Sequence, residues 1–213
     1  MNIMRLLGID PAISCGWCVS EINREEKTST LIAYNYFDVE RSEYTGDMCI
    51  FIQNQVKTLF TTYNIDEMVI EDYMFKSGKC QGSHLNLYLR CALHILCREM
   101  NKPYYIMSVS NWKSIIAGRS IPTKEMQRYY GRELANKIFI QEALWVRYNI
   151  RFPNHVISNK TKKPINMKYD IIDAVAISIA YAYSKYFVNT IRNNVLLIDD
   201  VVMHTKKQGY SYE

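Results

Sequence analysis

The chain reads as an α/β protein, and three observations carry that reading. Short runs rich in Val, Ile, Tyr and Phe are bounded by Gly, Pro and Asn, as strands are. Between them, apolar residues recur at helical spacing. Hydrophobic residues make up 48% of 213 positions, enough for one substantial core and too many for a disordered chain. The charge balance of 26 Lys and Arg against 21 Asp and Glu leaves +5, a mild lean toward polyanionic partners.

The first strand is the apolar run Leu6, Leu7 and Ile9, which stops at Asp10 and is bounded by Pro11 and Gly16. An ionised carboxylate at the end of a core strand is costly unless it is paired or holds a metal, so Asp10 calls for a cation or for further acids around one. The β-prone runs Cys15 to Ile22 and Thr30 to Val39, split by the charged turn Asn23 to Lys27, complete a three-stranded meander. Within it Cys15-Gly16-Trp17-Cys18 is formally a CxxC, but β-prone residues follow where a redox motif opens a helix. With no second CxxC and no paired His, we read these thiols as strand filler in a reducing compartment.

Met48, Ile52, Val56, Leu59, Phe60 and Tyr63 predict an amphipathic helix from Thr45 that ends at Asn64. Glu67 to Tyr73 repeats the opening pattern, a β-prone core ending in the acids Glu71 and Asp72. Phe75 to Ser83 has the composition of a mobile loop. The stripe Leu85, Leu89, Ala92, Leu93, Leu96, Cys97 and Met100 predicts a helix from His84 to Met100, apolar enough for core or for a dimer face. Pro103 to Val109 is a fifth strand, followed by a short helix near Asn111-Trp112-Lys113, capped by Ser108 or Ser110 and ended by Gly118. Thr123 is placed to cap a longer helical segment reaching about Arg147. Phe152 to Lys168 is a basic loop, the kind of run that is usually solvated surface.

Asp170 and Asp173 then open an almost wholly apolar helix through Tyr183. Three apart, they share a face at its first turn. One acid would suffice to complement the helix N-terminus; two on one face do so less economically. The body spans residues 1–188, and 189–213 form an extension with an apolar patch at Val195 to Val202 and no functional reading.

Four carboxylates thus fall at element ends: Asp10, Glu71, Asp170 and Asp173. Oxygen-only donors select hard cations such as Mg²⁺ or Mn²⁺, and four acids can hold two of them roughly 3.5 to 4 Å apart, the arrangement suited to in-line phosphoryl displacement. Without cations the like charges would repel and some would protonate.

Residues 9 to 17 (IDPAISCGW), 69 to 73 (VIEDY), 111 to 118 (NWKSIIAG) and 170 to 177 (DIIDAVAI) occur in the order and spacing of the RuvC-type Holliday-junction resolvases, which the chain resembles over about residues 3 to 186. The resemblance implies a ribonuclease H-like fold, a mixed five-stranded sheet with helices on both faces. It implies two Mg²⁺ ions, replaceable by Mn²⁺, held by Asp10, Glu71, Asp170 and Asp173, with Asp10 bridging, and Lys113 stabilising charge near the scissile phosphate. It further implies a homodimer, through the helix from residue 84 to 100, that binds a four-way DNA junction in recombination and repair and nicks two opposing strands symmetrically. The family's base-stacking aromatic aligns with Met74, flanked by Tyr73 and Phe75; the glycine after Asp-Pro is Ala12 here, a small residue that disturbs nothing catalytic. Lys76, Lys79, Lys124, Lys160, Lys162, Lys163 and Lys168 become candidate phosphate contacts, which give affinity without sequence reading.

No apolar run reaches the length of a membrane span and the N-terminus lacks a signal-peptide pattern, so the expected setting is intracellular, the cytoplasm or a site of viral DNA replication. The Asn-, Ile-, Lys- and Tyr-rich composition suits an AT-rich viral, phage or organellar genome. Three other readings compete. A ribonuclease H-like nuclease for flaps, other branched DNA or RNA–DNA hybrids would use the same residues. An actin-like kinase or ATPase shares the Gly-Ile-Asp opening but needs a second phosphate loop and nearly twice the length. A catalytically dead binding protein would gain from losing the four acids near DNA.

Overall fold

The computed structural model describes residues 2–39, 41–72, 81–153, 155–157, 164–166, 168–198 and 201–203. Strands β1 (Ile3–Asp10), β2 (Ser14–Asn23) and β3 (Thr28–Asp38) form the expected antiparallel meander. Helix α1 (Thr45–Tyr63) ends at Asn64 in the left-handed conformation, which Asn tolerates. It leads into β4 (Glu67–Glu71), parallel to β1. Helix α2 (Gln81–Glu99) returns the chain to β5 (Tyr104–Met107), parallel to β4. Helix α3 (Val109–Ala117) is capped by Ser108, whose Oγ accepts from the Asn111 N–H, and stopped by Gly118. Then come α4 (Lys124–Tyr130), capped by Thr123, and α5 (Arg132–Tyr148). The short strands β6 (His155–Ile157) and β7 (Pro164–Asn166) precede α6 (Tyr169–Tyr186), and β8 (Thr190–Asn193), β9 (Leu196–Ile198) and β10 (Val201–Met203) follow it.

The main sheet runs β5-β4-β1-β2-β3-β8. It has six strands where five were expected, because β8 adds itself in parallel to the open side of β3, an edge the meander alone would have left with unpaired backbone groups. A second sheet, β7-β6-β10-β9, links the presumed basic loop to the C-terminal segment: Phe152 to Lys168 contains an antiparallel strand pair, not loop throughout. The segment from Thr123 to Arg147 is two helices instead of one. It breaks at Gly131, whose φ of +76° favours glycine and cannot continue a right-handed helix.

Strand alternation divides the core into two layers. Leu7, Ile9, Cys15, Trp17, Met68 and Ile70 pack under α1 and α2, whereas Leu6, Cys18, Ile22 and Val69 pack under α3, α5 and α6. Cys15 and Cys18 therefore lie on opposite faces of the sheet, since residues three apart on a strand point opposite ways; both are buried free thiols, as the filler reading requires. The stripe Leu89, Ala92, Leu93, Leu96 and Cys97 of α2 is core against α1 and the sheet, with Leu85 and Met100 packed at its margin, so it is not available as a dimer face. Among the described residues of α2, those exposed are His84, Tyr88, Cys91, Ile95, Arg98 and Glu99.

Helix α6 lies on the sheet at backbone distance. A β-carbon at Gly8 would come within 2.8 Å of the Ala174 carbonyl oxygen and of Ser178 Cβ, and one at Gly16 would collide with the Asp170 carbonyl and the Ile171 amide. Ser20 and Ser178 close the gap between them with a 2.7 Å hydroxyl contact. At the far end of α6, Lys185 Nζ donates to both Glu67 oxygens at 3.1 and 3.2 Å and the Tyr186 hydroxyl donates at 2.8 Å, satisfying a buried acid at the start of β4. Gly16→Ala is expected to destabilise the fold by about 1–3 kcal/mol or more, because rigid backbone must move. Gly8→Ala should cost less, since part of what it meets is one side chain. Urea unfolding midpoints of the two variants check this order.

Candidate active site

The acid cluster is built by register. Asp10 shares the face of Leu6 and Gly8, and Glu71 shares that of Val69, so both point toward α6. Parallel pairing of Ile9 with Ile70 sets the next residues, Asp10 and Glu71, side by side. Asp10 pairs with Gly16 across the β1–β2 ladder, and Gly16 is the residue on which the first turn of α6 rests. That contact carries Asp170 and Asp173 over Asp10. Asp72, one residue past Glu71, turns away and pairs with Arg90 of α2.

Burial raises all four carboxyls, and charge from neighbouring acids adds to the rise at Asp10, Glu71 and Asp173. Asp10, 8% exposed, has its carboxyl pushed well above the usual range, by burial first and then by the charges of Glu71, Asp173 and Asp170. Burial also raises Glu71, held back by the neighbouring Asp10 carboxyl, the Trp112 indole and Lys113. Asp173 is pushed up to about 8 by burial and then by Glu71 and Asp170, against the pull of Lys113 and Lys137. Asp170 is raised by burial and restrained by Ser14, Lys137 and Lys168. The four acids lie close enough to act on one another's titration, yet among the described residues no three His, Cys, Asp or Glu side chains form a group that could hold a metal ion.

Cationic and hydrogen-bonding groups surround them unequally. Helix α3 delivers the fully buried Trp112, whose Nε1 donates to Glu71 Oε1 at 2.9 Å, and beside it Lys113, whose charge acts on Glu71 and Asp173. Lys168, just before α6, lies 5.2 Å from the Tyr36 ring centre and acts on Asp170. Lys124 stands exposed at the head of α4. The expected contacts Tyr73, Met74, Phe75, Lys76, Lys79, Lys160, Lys162 and Lys163 fall outside the described residues. Sequence reasoning passed over Trp112 as a Glu71 partner, although it adjoins Lys113 in the Asn-Trp-Lys motif. It also missed Lys137, which sits on α5 with its Nζ 4.9 Å from the Tyr169 ring and nothing in its neighbourhood to single it out. Cys15, close to Asp10, has its thiol held protonated by burial and by that charge, so it is no nucleophile.

No family model matches the chain. It is 23% identical over 187 residues to the crossover junction endodeoxyribonuclease RuvC of Ehrlichia chaffeensis, covering 85% of this chain and 98% of the relative. Among solved structures, Thermus thermophilus RuvC superposes with a TM-score of 0.60 at 15% identity, covering 87% of this chain and 98% of that one. T. thermophilus RuvC in complex with Holliday junction substrate gives a TM-score of 0.57 at 14% identity, covering 85% and 96%. The mixed sheet flanked by helices, with acids at the ends of β1 and β4 and at the start of α6, is an α/β fold similar to that of these RuvC structures. Among the described residues no helix is long and apolar enough to cross a membrane.

The raised carboxyls fix a pH dependence. With Asp173 at about 8 in the folded chain against 3.8 for an ordinary Asp, the fold holds more protons than the unfolded chain between those values. Stability of the cation-free protein is therefore expected to fall as pH rises through that window, the melting temperature declining steadily from pH 4 to 8. Asp173→Asn should flatten the decline and melt higher than the wild type at pH 8.5 in chelator, as differential scanning calorimetry would show.

Proposed function

We propose that the protein is a divalent-cation-dependent endodeoxyribonuclease that resolves four-way DNA junctions by paired symmetric nicks. The observation that supports this is the electrostatic coupling of Asp10, Glu71, Asp170 and Asp173, with Lys113 acting on two of them, on a fold similar to that of RuvC. Buried like charges without matching cations are costly, and the only donors among the four are carboxylate oxygens, which suit Mg²⁺ or Mn²⁺ better than softer metals. When bound, such cations supply charge stabilisation at the attacking and leaving oxygens of the scissile diester.

The chain's own residues do the rest. Asp10 and Glu71, rigid at the ends of neighbouring strands, set one side of the cation site; Asp170 and Asp173, fixed by the seat of α6 on Gly16, set the other. The indole N–H of Trp112 orients Glu71, leaving its second oxygen free of that bond. Lys113 supplies positive charge where the phosphate would sit, and Lys168 and Lys137 extend that charge along the start of α6. Two symmetric nicks require two such sites, so we infer a homodimer. Its interface would be the outward face of α2, where Tyr88 and Ile95 are 49% and 53% exposed with Cys91 between them, and not the inward stripe.

A synthetic four-way junction, a flap, a plain duplex and an RNA–DNA hybrid, each incubated with Mg²⁺ and with chelator, test the reading. Paired nicks in the junction alone, lost in chelator, are expected; equal cutting of flap or hybrid would favour the broader nuclease instead. Asp10→Asn and Asp173→Asn should each lower cleavage more than about a hundredfold while keeping junction binding in gel shifts, and Lys113→Ala should lower it about 10²–10³-fold. Ile95→Glu is expected to shift the protein from dimer to monomer in sedimentation and to unlink the paired nicks.

A further inference from the structure

Beside the acid cluster, between α5 and the start of α6, lies a cavity of about 690 Å³ lined by Gln141, Trp145, Arg151, Phe152, Asn166 and Tyr169. We propose that it receives a single unstacked nucleobase of the bound DNA strand, close to the scissile phosphate. The proposal rests on the nuclease reading above and goes beyond it by giving that site a base-binding neighbour.

Placement supports it first. The cavity is floored by Tyr169 and Ile172, three apart and so on one face of α6, while Asp170 and Asp173 occupy the face next to it on the same turn. A helix is about 10–12 Å across with its side chains, and a nucleic-acid strand advances about 3.4 Å per nucleotide, so a base seated there belongs to a nucleotide within roughly three of the phosphate at the acids.

Chemistry supports it second. Trp145, Phe152 and Tyr169 offer flat aromatic faces, to which any base can stack. Gln141 and Asn166 each carry a donor and an acceptor, which base edges require and a purely apolar guest would leave unpaired. Glu142, also in the wall, adds an acceptor for an exocyclic amine. The volume lies in the range of sites for small ligands, ample for one nucleotide and small for a docked helix.

Charge supports it third. The Arg151 guanidinium lies 4.8 Å from the centre of the Trp145 ring and the Lys137 ammonium 4.9 Å from that of Tyr169, so each aromatic wall bears a cation suited to the phosphates on either side of the base. Trp145 is 49% exposed, an aromatic face held at the surface where a partner can reach it.

A cycle between protein and DNA variants tests the proposal. Wild type and Trp145→Ala are titrated in chelator against intact junction and against junctions bearing one abasic site at each of three positions either side of the mapped nick, and cleavage is then timed with Mg²⁺. At one position the abasic site should weaken wild-type binding roughly tenfold, Trp145→Ala should weaken binding of intact junction by a similar factor, and the two losses should not add. Trp145→Phe should keep the coupling. Losses that add at every position, or no loss at any, overturn the pocket. If Trp145→Ala does not fold, Gln141→Ala and Arg151→Ala run through the same cycle give the same decision. A wild-type protein that nicks intact junctions but shows no coupling defeats the pocket alone, whereas one that neither binds nor nicks them defeats the nuclease reading and the pocket with it.

Discussion

The contact on which the rest of this structure depends is the seating of α6 against bare backbone at Gly8 and Gly16. Ordinary helix-on-sheet packing keeps the two layers apart by the thickness of their side chains. Here the first turn of the helix rests on Gly16 and the next two turns on Gly8 and Ser20, through Ala174 and Ser178. Because Gly16 is the ladder partner of Asp10, the approach sets Asp170 and Asp173 above the strand-end acids. A larger residue at either glycine would lift the helix and separate the two halves of the cluster.

That geometry concentrates like charge where water is scarce. Two acids of β4 show the contrast, for Glu67 and Glu71 lie four apart on one strand and on one face. Glu67 meets Lys185 and Tyr186, a matched partner and a hydroxyl, with Lys185 further held over the Tyr105 ring at 3.4 Å from its centre. Glu71 meets Asp10, Asp170 and Asp173, with Trp112 and Lys113 as partial compensation. The first is a structural acid that fastens the C-terminal end of α6. The second belongs to a set whose charges outnumber the cations facing them. That imbalance is the physical feature on which the proposed cation-assisted reaction rests.

Positive charge is distributed to match. Lys113 comes from α3, Lys137 from α5, and Lys168 from the residue before α6, so three separate elements converge on the rim of one acidic centre. On the same side, α5 and α6 leave a cavity walled by aromatic and amide groups, and the opposite layer presents the outward residues of α2. One face of the sheet thus holds the acid cluster, and the other is covered by α1 and α2.

Much of this was legible in the chain. The β-prone runs, the helical stripes, the caps at Ser108 and Thr123, and the acids at Asp10, Glu71, Asp170 and Asp173 are local patterns, governed by side-chain periodicity and backbone preference, which neighbouring residues alone can express. What only the tertiary structure decided are matters of distance between segments remote in sequence. Nothing local reveals that β8 would complete a sixth strand or that the α2 stripe would be spent on the core, whereas the break between α4 and α5 had a local signal in Gly131 itself. Nor does sequence spacing bring Lys137 to Asp170 or Trp112 to Glu71. The first follows from where α5 lies beside α6 and the second from where α3 packs at the end of β4, while the gathering of the acids follows from how closely α6 approaches the sheet, a distance set by the absence of side chains at two glycines and felt only once the helix is packed.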